Sequence, residues 1–205
     1  MKLRRPWFAG GTITVASVQA DRHFLAEGEA AFEDGTVNYL SLPAVEIGLS
    51  HLQSIGLDVI HERVKCLTAW LLGELSELHH GNGKPLIRLY GLADIDVRGG
   101  AITINFFDAE GQVIDHCRVE EEASKLNISL RTGCFCNPGA GEMALGLSEP
   151  ELSSCFHGHS EFTVEDFRMC VDDKSTGAVR ISVGMVTNFA DAWRFVEFAK
   201  SFVNA

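Results

Sequence analysis

The stretch from His51 to His80 constrains the fold most, because its apolar side chains recur at the spacing of a helix. Most of them follow at intervals of three or four positions: Leu52, Ile55, Val59, Ile60, Val64, Leu67, Leu71, Leu75 and Leu78. Such a stripe predicts a long helix that packs one face against a core. Gly56 is a position at which this helix can divide, and Gly81-Asn82-Gly83 is expected to end it.

The chain that follows mixes strand patterns with short helices. Strands are predicted near Leu86–Tyr90, Ala101–Phe107, Ile128–Arg131 and Ala178–Met185, and the last helix near Phe189–Val203. The mixture predicts an α+β fold, with helices on one side of a small sheet. The predicted domain comprises residues 51–205, with 51–80 as a connecting helix.

Residues 1–50 show no compact domain of their own. A turn is expected at Asp34-Gly35, and Tyr39–Leu49 is expected to be helical. Pro43 fits the first turn of that helix if the helix begins near Leu42, because the first-turn N–H groups need no partner within the helix.

Composition excludes several classes of function. The formal net charge of −11 disfavours binding to nucleic acid, whose phosphates an acidic chain repels. No apolar run approaches the roughly 20 residues that cross a bilayer, and residues 1–20 do not resemble a signal peptide. We therefore expect a cytoplasmic protein whose six cysteines are reduced. Cys66, Cys117 and Cys170 stand in apolar company and are predicted to be core residues.

The segment from Arg131 to Gly139 carries the most chemistry. Asn137 is a good helix N-cap and Pro138 fits the first helical position. Cys136 would then lie at a helix N-terminus, where the partial positive charge favours a thiolate. Arg131 would add to that field. The alternative is an inert cysteine pair, Cys134 and Cys136, which composition alone favours because cysteine is commonly buried.

A metal site is a rival interpretation of the cysteines and histidines. Cys134, Cys136, Cys155, His157 and His159 are all residue types that ligate metals, and zinc needs four of them. The Cys-x-x-Cys spacing of common zinc sites is absent, so this interpretation competes with loop histidines and a core cysteine.

Four motifs together resemble one family. Arg131-Thr132-Gly133-x-x-Cys136 resembles the persulfide loop of cysteine desulfurases, and the longer string to Ala140 resembles the desulfurase domain of molybdenum cofactor sulfurases. Gly10-Gly11-Thr12, Phe32–Asn38 and Gly177–Ser182 resemble, in order, further motifs of the class V aminotransferases.

The resemblance implies the small C-terminal domain of a fold-type I transferase dependent on pyridoxal 5'-phosphate, with 1–50 as a remnant of the large domain. Cys136 would take sulfur from L-cysteine as a persulfide, releasing alanine. Arg131 would bind the substrate carboxylate; Arg180 would either face the same site or pair with an acidic neighbour. Gly35 and Thr36 would reach the cofactor phosphate across a homodimer interface, although a plain turn is an equal alternative.

The chain departs from the family pattern at two positions. The cofactor lysine normally precedes the Gly-Gly-Thr motif, where this chain has only Lys2 among arginines. We therefore expect a fragment that cannot hold the cofactor covalently and is inactive alone. Gly141 replaces a cysteine usual in molybdenum cofactor sulfurases, which favours a more general relative. Two alternatives stay open: a class V relative with another substrate, and a non-catalytic sulfur carrier or metal-binding module.

Overall fold

The computed structural model describes residues 11–33, 35, 38–133, 138–157, 163, 166, 170 and 177–204. They belong to two compact units, Met1–Gly56 and Leu57–Ala205. The predicted assignment of 1–50 and 51–205 to two domains of a larger fold remains a prediction. No helix among the described residues combines the length and apolarity that a membrane span requires.

The first unit contains a hairpin and a helix. Strands β1 (Ile13–Ser17) and β2 (Arg22–Leu25) pair antiparallel, and a 3-10 turn follows at Gly28–Phe32. Helix α1 spans Leu42–Ile55 with a proline in its first turn, which confirms the predicted start. It ends at Gly56, whose φ of 97° lies in the region that favours glycine.

The second unit is built on one antiparallel sheet. Its strands are β3 (Ile87–Tyr90), β4 (Ala101–Phe107), β5 (Val113–Ile114), β6 (Arg131–Gly133) and β7 (Ala178–Ser182). Their order is β3-β4-β7-β6, with β5 beside the end of β4, and every pairing is antiparallel. The helices are α2 (Leu57–Ser76), α3 (His116–Lys125), α4 (Pro138–Leu145), α5 (Glu149–Phe156) and α6 (Phe189–Lys200).

The core lies between this sheet and helices α2, α3 and α6. Alternate residues of β4, Ile102, Ile104 and Phe106, are fully buried, because successive strand residues point to opposite faces. They belong to the same core cluster as Leu75 of α2 and Val119 of α3. Burying each such side chain contributes about 1.5–3 kcal/mol. The α+β fold, with helices packed on one face of an antiparallel sheet, is thereby confirmed.

The predicted helix over 51–80 differs from the structure at both the middle and the end. The helical region breaks at Gly56, and α2 stops at Ser76. The chain then reverses direction: Leu86 N–H donates to Leu78 O, and His80 N–H donates to Lys84 O. These bonds satisfy backbone groups that a continued helix would otherwise use. The strand predicted at 128–131 is displaced to Arg131–Gly133, where it pairs with β7.

Candidate functional site

The outer face of the sheet, opposite the core, carries a row of polar side chains. Tyr90 pairs with Thr103, Thr103 with Arg180, and Arg180 with Arg131, so that one residue from each of four strands faces the same side. We call these four residues the arginine row. The largest influence on the Tyr90 phenol is burial, which raises its pKa, while Arg88 partly opposes the shift. The phenol is therefore protonated at neutral pH.

Arg131 and Arg180 are directly opposite each other at one end of the row. Both side chains are exposed, and neither forms an ion pair or a side-chain hydrogen bond within the described part of the chain. The acidic neighbour that was the alternative for Arg180 is therefore not found among the described residues. Two like charges placed directly opposite each other destabilise a sheet. An anion bound between the two guanidinium groups would remove that repulsion and accept several hydrogen bonds.

The end of β6 is held from two sides. The Thr132 hydroxyl donates to the carboxylate of Glu120 on α3. On the other side Gly177 packs against Gly133 so closely that a Cβ on Gly177 would lie 2.7 Å from the Gly133 carbonyl carbon. Gly133 itself has a φ of 106°. The end of β6 at Gly133 is therefore fixed by contacts with two other segments.

Asn105 completes this support, and no sequence motif marks it as a functional residue. Its side chain is buried at 2% exposure, and its Nδ2 donates to Gly177 O at 3.1 Å. Its Oδ1 has no partner among the described residues. A buried amide between apolar residues of a strand lowers the stability of the fold unless it forms hydrogen bonds. The sequence gives one signal for this role, which is a polar residue, Asn105, between the apolar residues Ile104 and Phe106 of a predicted strand.

The predicted sulfur-accepting residue, Cys136, lies outside the described residues, as do Cys134, the predicted N-cap Asn137, and His159. The structure does place a helix start at Pro138, the position predicted for the first helical residue. The arginine row and the end of β6 are the parts of the candidate site that the structure describes.

In the first unit the predicted glycine motifs pack backbone against backbone. A Cβ on Gly11 would lie 3.0 Å from Gly35 O, and Gly35 has a φ of 92°. Thr12 is fully buried, and its Oγ1 has no partner among the described residues. Thr36 lies outside the described residues. The geometry explains why glycines occur at 11 and 35, while their role toward a phosphate remains a prediction.

The expectation that all six cysteines are reduced is wrong for two of them. Cys155 and Cys170 form a disulfide, so Cys170 is not a free core thiol and Cys155 is not free to bind a metal. Cys66 is also misassigned, because it is exposed on α2 while the next residue, Leu67, faces the core. Cys117 is in no disulfide and is half-buried.

The metal hypothesis loses one of its proposed ligands to that disulfide. The one group of metal-capable atoms found among the described residues is Asp115, His116 and Cys117. The Asp115 carboxylate accepts from Cys117 N–H and so caps α3. This bond gives the carboxylate a structural role in starting the helix.

The described lysines do not fit covalent attachment of pyridoxal phosphate. Ion pairing with Asp96, Glu122 and Glu197 raises the pKa of Lys65, Lys125 and Lys200, respectively. Lys84 donates to Glu110 O at 2.7 Å. A lysine must lose its proton to form the linkage, and acidic partners oppose that loss. Lys2 and Lys174 lie outside the described residues.

Comparison with known proteins agrees with this fold. The model of the family "Aminotransferase class-V" matches residues 1–195, and members of this family use pyridoxal phosphate. A molybdenum cofactor sulfurase of Solanum lycopersicum is 35% identical over an alignment of 206 residues that covers 97% of this chain and 24% of that protein. The chain thus spans about a quarter of the length of the curated relatives it matches.

Solved structures show the same fold at lower identity. The apo structure of a cysteine desulfurase from Thermococcus onnurineus matches with a TM-score of 0.62 and 19% identity, over 97% of this chain and 39% of that one. The complex of the cystine C–S lyase C-DES with its product cysteine persulfide matches with a TM-score of 0.56 and 14% identity, at the same coverage. The family match over nearly the whole chain, with the fold and motifs described above, shows that this chain belongs to the class V aminotransferase family.

Proposed function

We propose that this chain supplies the sulfur-accepting cysteine and the substrate-carboxylate site of a cysteine desulfurase-like enzyme dependent on pyridoxal phosphate. The observation that carries the proposal is the pair of exposed, unpaired arginines, Arg131 and Arg180, at the strand end that leads to Cys136.

The arginine pair suits the carboxylate of L-cysteine. A guanidinium group presents parallel N–H donors that match two carboxylate oxygens. Two such groups on adjacent strands can fix both the position and the orientation of a small amino acid. Arg131 is the primary ligand in this proposal, and Arg180 is the second.

Cys136 acts in this proposal as a thiolate that attacks the sulfur of the bound cysteine. A sulfur–sulfur bond forms, the carbon–sulfur bond of the substrate breaks, and the freed carbon gains a proton. The products are a persulfide on Cys136 and alanine, so atoms and electrons balance. The helix start at Pro138 and the two arginines favour the thiolate that this attack requires.

The cofactor would be held by polypeptide outside this chain, because three of the described lysines pair with carboxylates and Lys84 donates to a backbone carbonyl. Bound there, pyridoxal phosphate would supply the electron sink that weakens the carbon–sulfur bond. Gly35 and Thr36 would contact its phosphate across a homodimer interface. The expected cytoplasmic location stays a prediction, which the disulfide between Cys155 and Cys170 opposes. The chain by itself would then lack desulfurase activity.

The test is alanine formation from L-cysteine by the complete enzyme. Cys136→Ser should abolish alanine and the persulfide detected by mass spectrometry, while Cys66→Ser, at an exposed thiol on α2, should leave both unchanged. Unchanged alanine in Cys136→Ser would instead support a class V relative in which the cysteines are incidental. Bound zinc, measured by elemental analysis, would support the metal-binding alternative.

A further inference from the structure

His80 is a buried histidine at which three segments of the second unit meet. The residue is 3% exposed and lies in the turn that follows α2. Its backbone is fixed there, because His80 N–H donates to Lys84 O at 2.9 Å and His80 O accepts from Gly83 N–H at 2.9 Å. Its ring reaches two further segments, the end of β4 at Phe107 and the segment after α6 at Asn204.

The two ring contacts fix which nitrogen carries the hydrogen. Asn204 N–H donates to His80 Nδ1 at 3.0 Å, and a peptide N–H can only donate, so Nδ1 presents a lone pair. Nε2 lies 2.9 Å from Phe107 O, and a carbonyl oxygen can only accept, so Nε2 carries the hydrogen. Both bonds therefore exist together only when the imidazole is neutral, with its one N–H at Nε2.

Asn204 forms a second hydrogen bond to the same turn. Its side-chain Oδ1 accepts from Gly81 N–H at 2.9 Å, so its backbone and side chain bond to consecutive residues. We call these two bonds the Asn204 clip. The φ of Asn204, 59°, lies in the left-handed region, and such a conformation persists only where contacts hold it. The position of this residue therefore depends on the clip.

A proton on Nδ1 would break the clip at His80. In the imidazolium form both ring nitrogens are donors, so the new N–H would point at Asn204 N–H with no acceptor between them. Both ring nitrogens contact backbone groups, so no carboxylate of the described residues bonds to the ring. A buried charge without such a partner is unfavourable. The charged ring and the intact clip therefore exclude each other.

The titratable groups on the segments around His80 form other contacts. Within the described part of the chain none of them bonds to the His80 ring, and they are Glu77, His79, Lys84, Arg88, Asp108, Glu110 and Lys200. Lys84 Nζ donates to Glu110 O, and Asp108 accepts from Gln112 N–H. Arg88 lies over the Phe107 ring. Lys200 pairs with Glu197.

We propose that His80 is a pH-sensitive latch, which docks the segment after α6 onto the turn after α2 while its ring is neutral and releases it when the ring is protonated. The inference is independent of the proposed function, because it involves neither the arginine row nor Cys136. An unperturbed histidine takes up its proton near pH 6.5. The docked state excludes that proton, so it should lose population as the pH falls below this range. Phe202 is buried in the core, so we expect the release to be confined to the residues after it.

The experiment measures hydrogen exchange of single backbone amides in the full chain by nuclear magnetic resonance, from pH 7.5 to pH 5. The protection factor of the Asn204 amide, which corrects for the effect of pH on exchange itself, should fall by about tenfold per pH unit once the ring titrates. The Leu86 amide, which donates to Leu78 O in the same turn, should keep its protection. Nitrogen chemical shifts of the His80 ring should show a hydrogen on Nε2 alone at pH 7.5.

Two variants separate His80 from its neighbours. His80→Gln supplies an acceptor oxygen and a donor nitrogen that do not titrate, so the protection of Asn204 should no longer change with pH. His79→Gln is the matched control, because His79 is exposed and its ring contacts Glu77 O instead. It should keep the pH dependence of the unaltered chain. The ring shifts and the two amides of the unaltered chain test the latch even where a variant fails to fold.

Four outcomes would overturn the inference. Constant protection of Asn204 while the ring titrates would show that the proton does not release the clip. A hydrogen on Nδ1 at pH 7.5 would contradict the bonding on which the latch depends. An equal loss of protection at Leu86 would show that acid unfolds the second unit as a whole. The same pH dependence in His80→Gln would assign it to another group.

Discussion

At the scale of single residues, the central feature is the placement of two unpaired arginines on one face of a sheet. Arg131 and Arg180 come from distant parts of the sequence, and strand pairing alone brings them together. Like charges at such positions destabilise the fold, and an anionic ligand bound between them would offset that cost. The binding role can be separated from folding by measuring substrate affinity.

We expect Arg180→Gln in the complete enzyme to raise KM for L-cysteine about 10- to 100-fold, because a hydrogen bond to a charged group contributes about 1.5–3 kcal/mol. Arg131→Gln should have the same or a larger effect. Arg88→Gln is the control, since Arg88 lies on the same face but over the Phe107 ring, 5.1 Å from its centroid. Equal KM values for Arg180→Gln and Arg88→Gln would contradict the carboxylate role.

Gly177 provides a second test at this scale. Gly177→Ala should destabilise the chain by about 1–3 kcal/mol, because the added methyl group meets the backbone of Gly133 at 2.7 Å. Gly73→Ala, in the interior of α2 with open space around it, should stabilise the chain by about 0.5–1 kcal/mol. Urea denaturation measures both. Similar changes in the unfolding free energy of the two variants would show that a methyl group at position 177 fits beside Gly133.

A buried histidine gives the fold a predictable dependence on pH. Burial is the larger influence on His116 and lowers its pKa, while the charge of Glu120 partly opposes the shift. The unfolded chain therefore binds a proton at higher pH than the folded chain does. Stability from this group is complete above the unfolded pKa of about 6.5 and is lost as pH falls toward the lower folded value. Denaturation at pH 7.5 and 5.5 should show this loss in the unaltered chain and a smaller loss in His116→Gln.

At the scale of elements, strand ends and helix starts position the candidate site. β6 is only three residues long, yet pairing with β7, the Thr132–Glu120 bond and the Gly133–Gly177 contact fix its end. Helix α5 lies beyond the site and begins with a capping box at Ser148 and Glu151. Its far end is tied by the disulfide between Cys155 and Cys170.

Reducing that disulfide should lower stability by about 3 kcal/mol, the value expected for a closed loop of about 15 residues. Cys155→Ser should reproduce the effect without reductant. The midpoint of thermal unfolding, with and without dithiothreitol, measures the change. Cys66→Ser serves as the control because Cys66 is free and exposed. If reductant leaves the midpoint unchanged, the bond does not stabilise the fold.

At the scale of the whole molecule, the chain carries part of a family fold and part of a candidate site. It spans about a quarter of the curated relatives and 39% of a desulfurase of known structure. The described lysines are engaged with acidic groups or with a backbone carbonyl. We therefore expect the cofactor lysine to lie outside the described residues.

We expect the isolated chain to form no lasting linkage with pyridoxal phosphate. After incubation and dialysis, its absorbance spectrum should show no bound chromophore, because the contacts of the described lysines with carboxylates or a backbone carbonyl compete with a bond to the cofactor aldehyde. Borohydride reduction followed by mass spectrometry provides an independent measurement. A reduced adduct on any lysine would contradict the prediction and identify the residue responsible.

Local patterns determined much of this protein. The apolar spacing of α2, the alternation in β7 and Pro43 at the start of α1 are properties of neighbouring residues, so helix, strand and α+β class follow from the sequence. The motif around Cys136 likewise indicates the family through residues that are adjacent in the chain.

Only the tertiary structure decided which distant residues meet. The pairing of Arg131 with Arg180, the contact of Gly133 with Gly177, the burial of Asn105 and the Cys155–Cys170 bond all join separated segments. Such contacts depend on strand register and chain path, which the energy of the whole fold selects. Sequence patterns report what each segment prefers locally, and they do not report which partner it finds across the sheet.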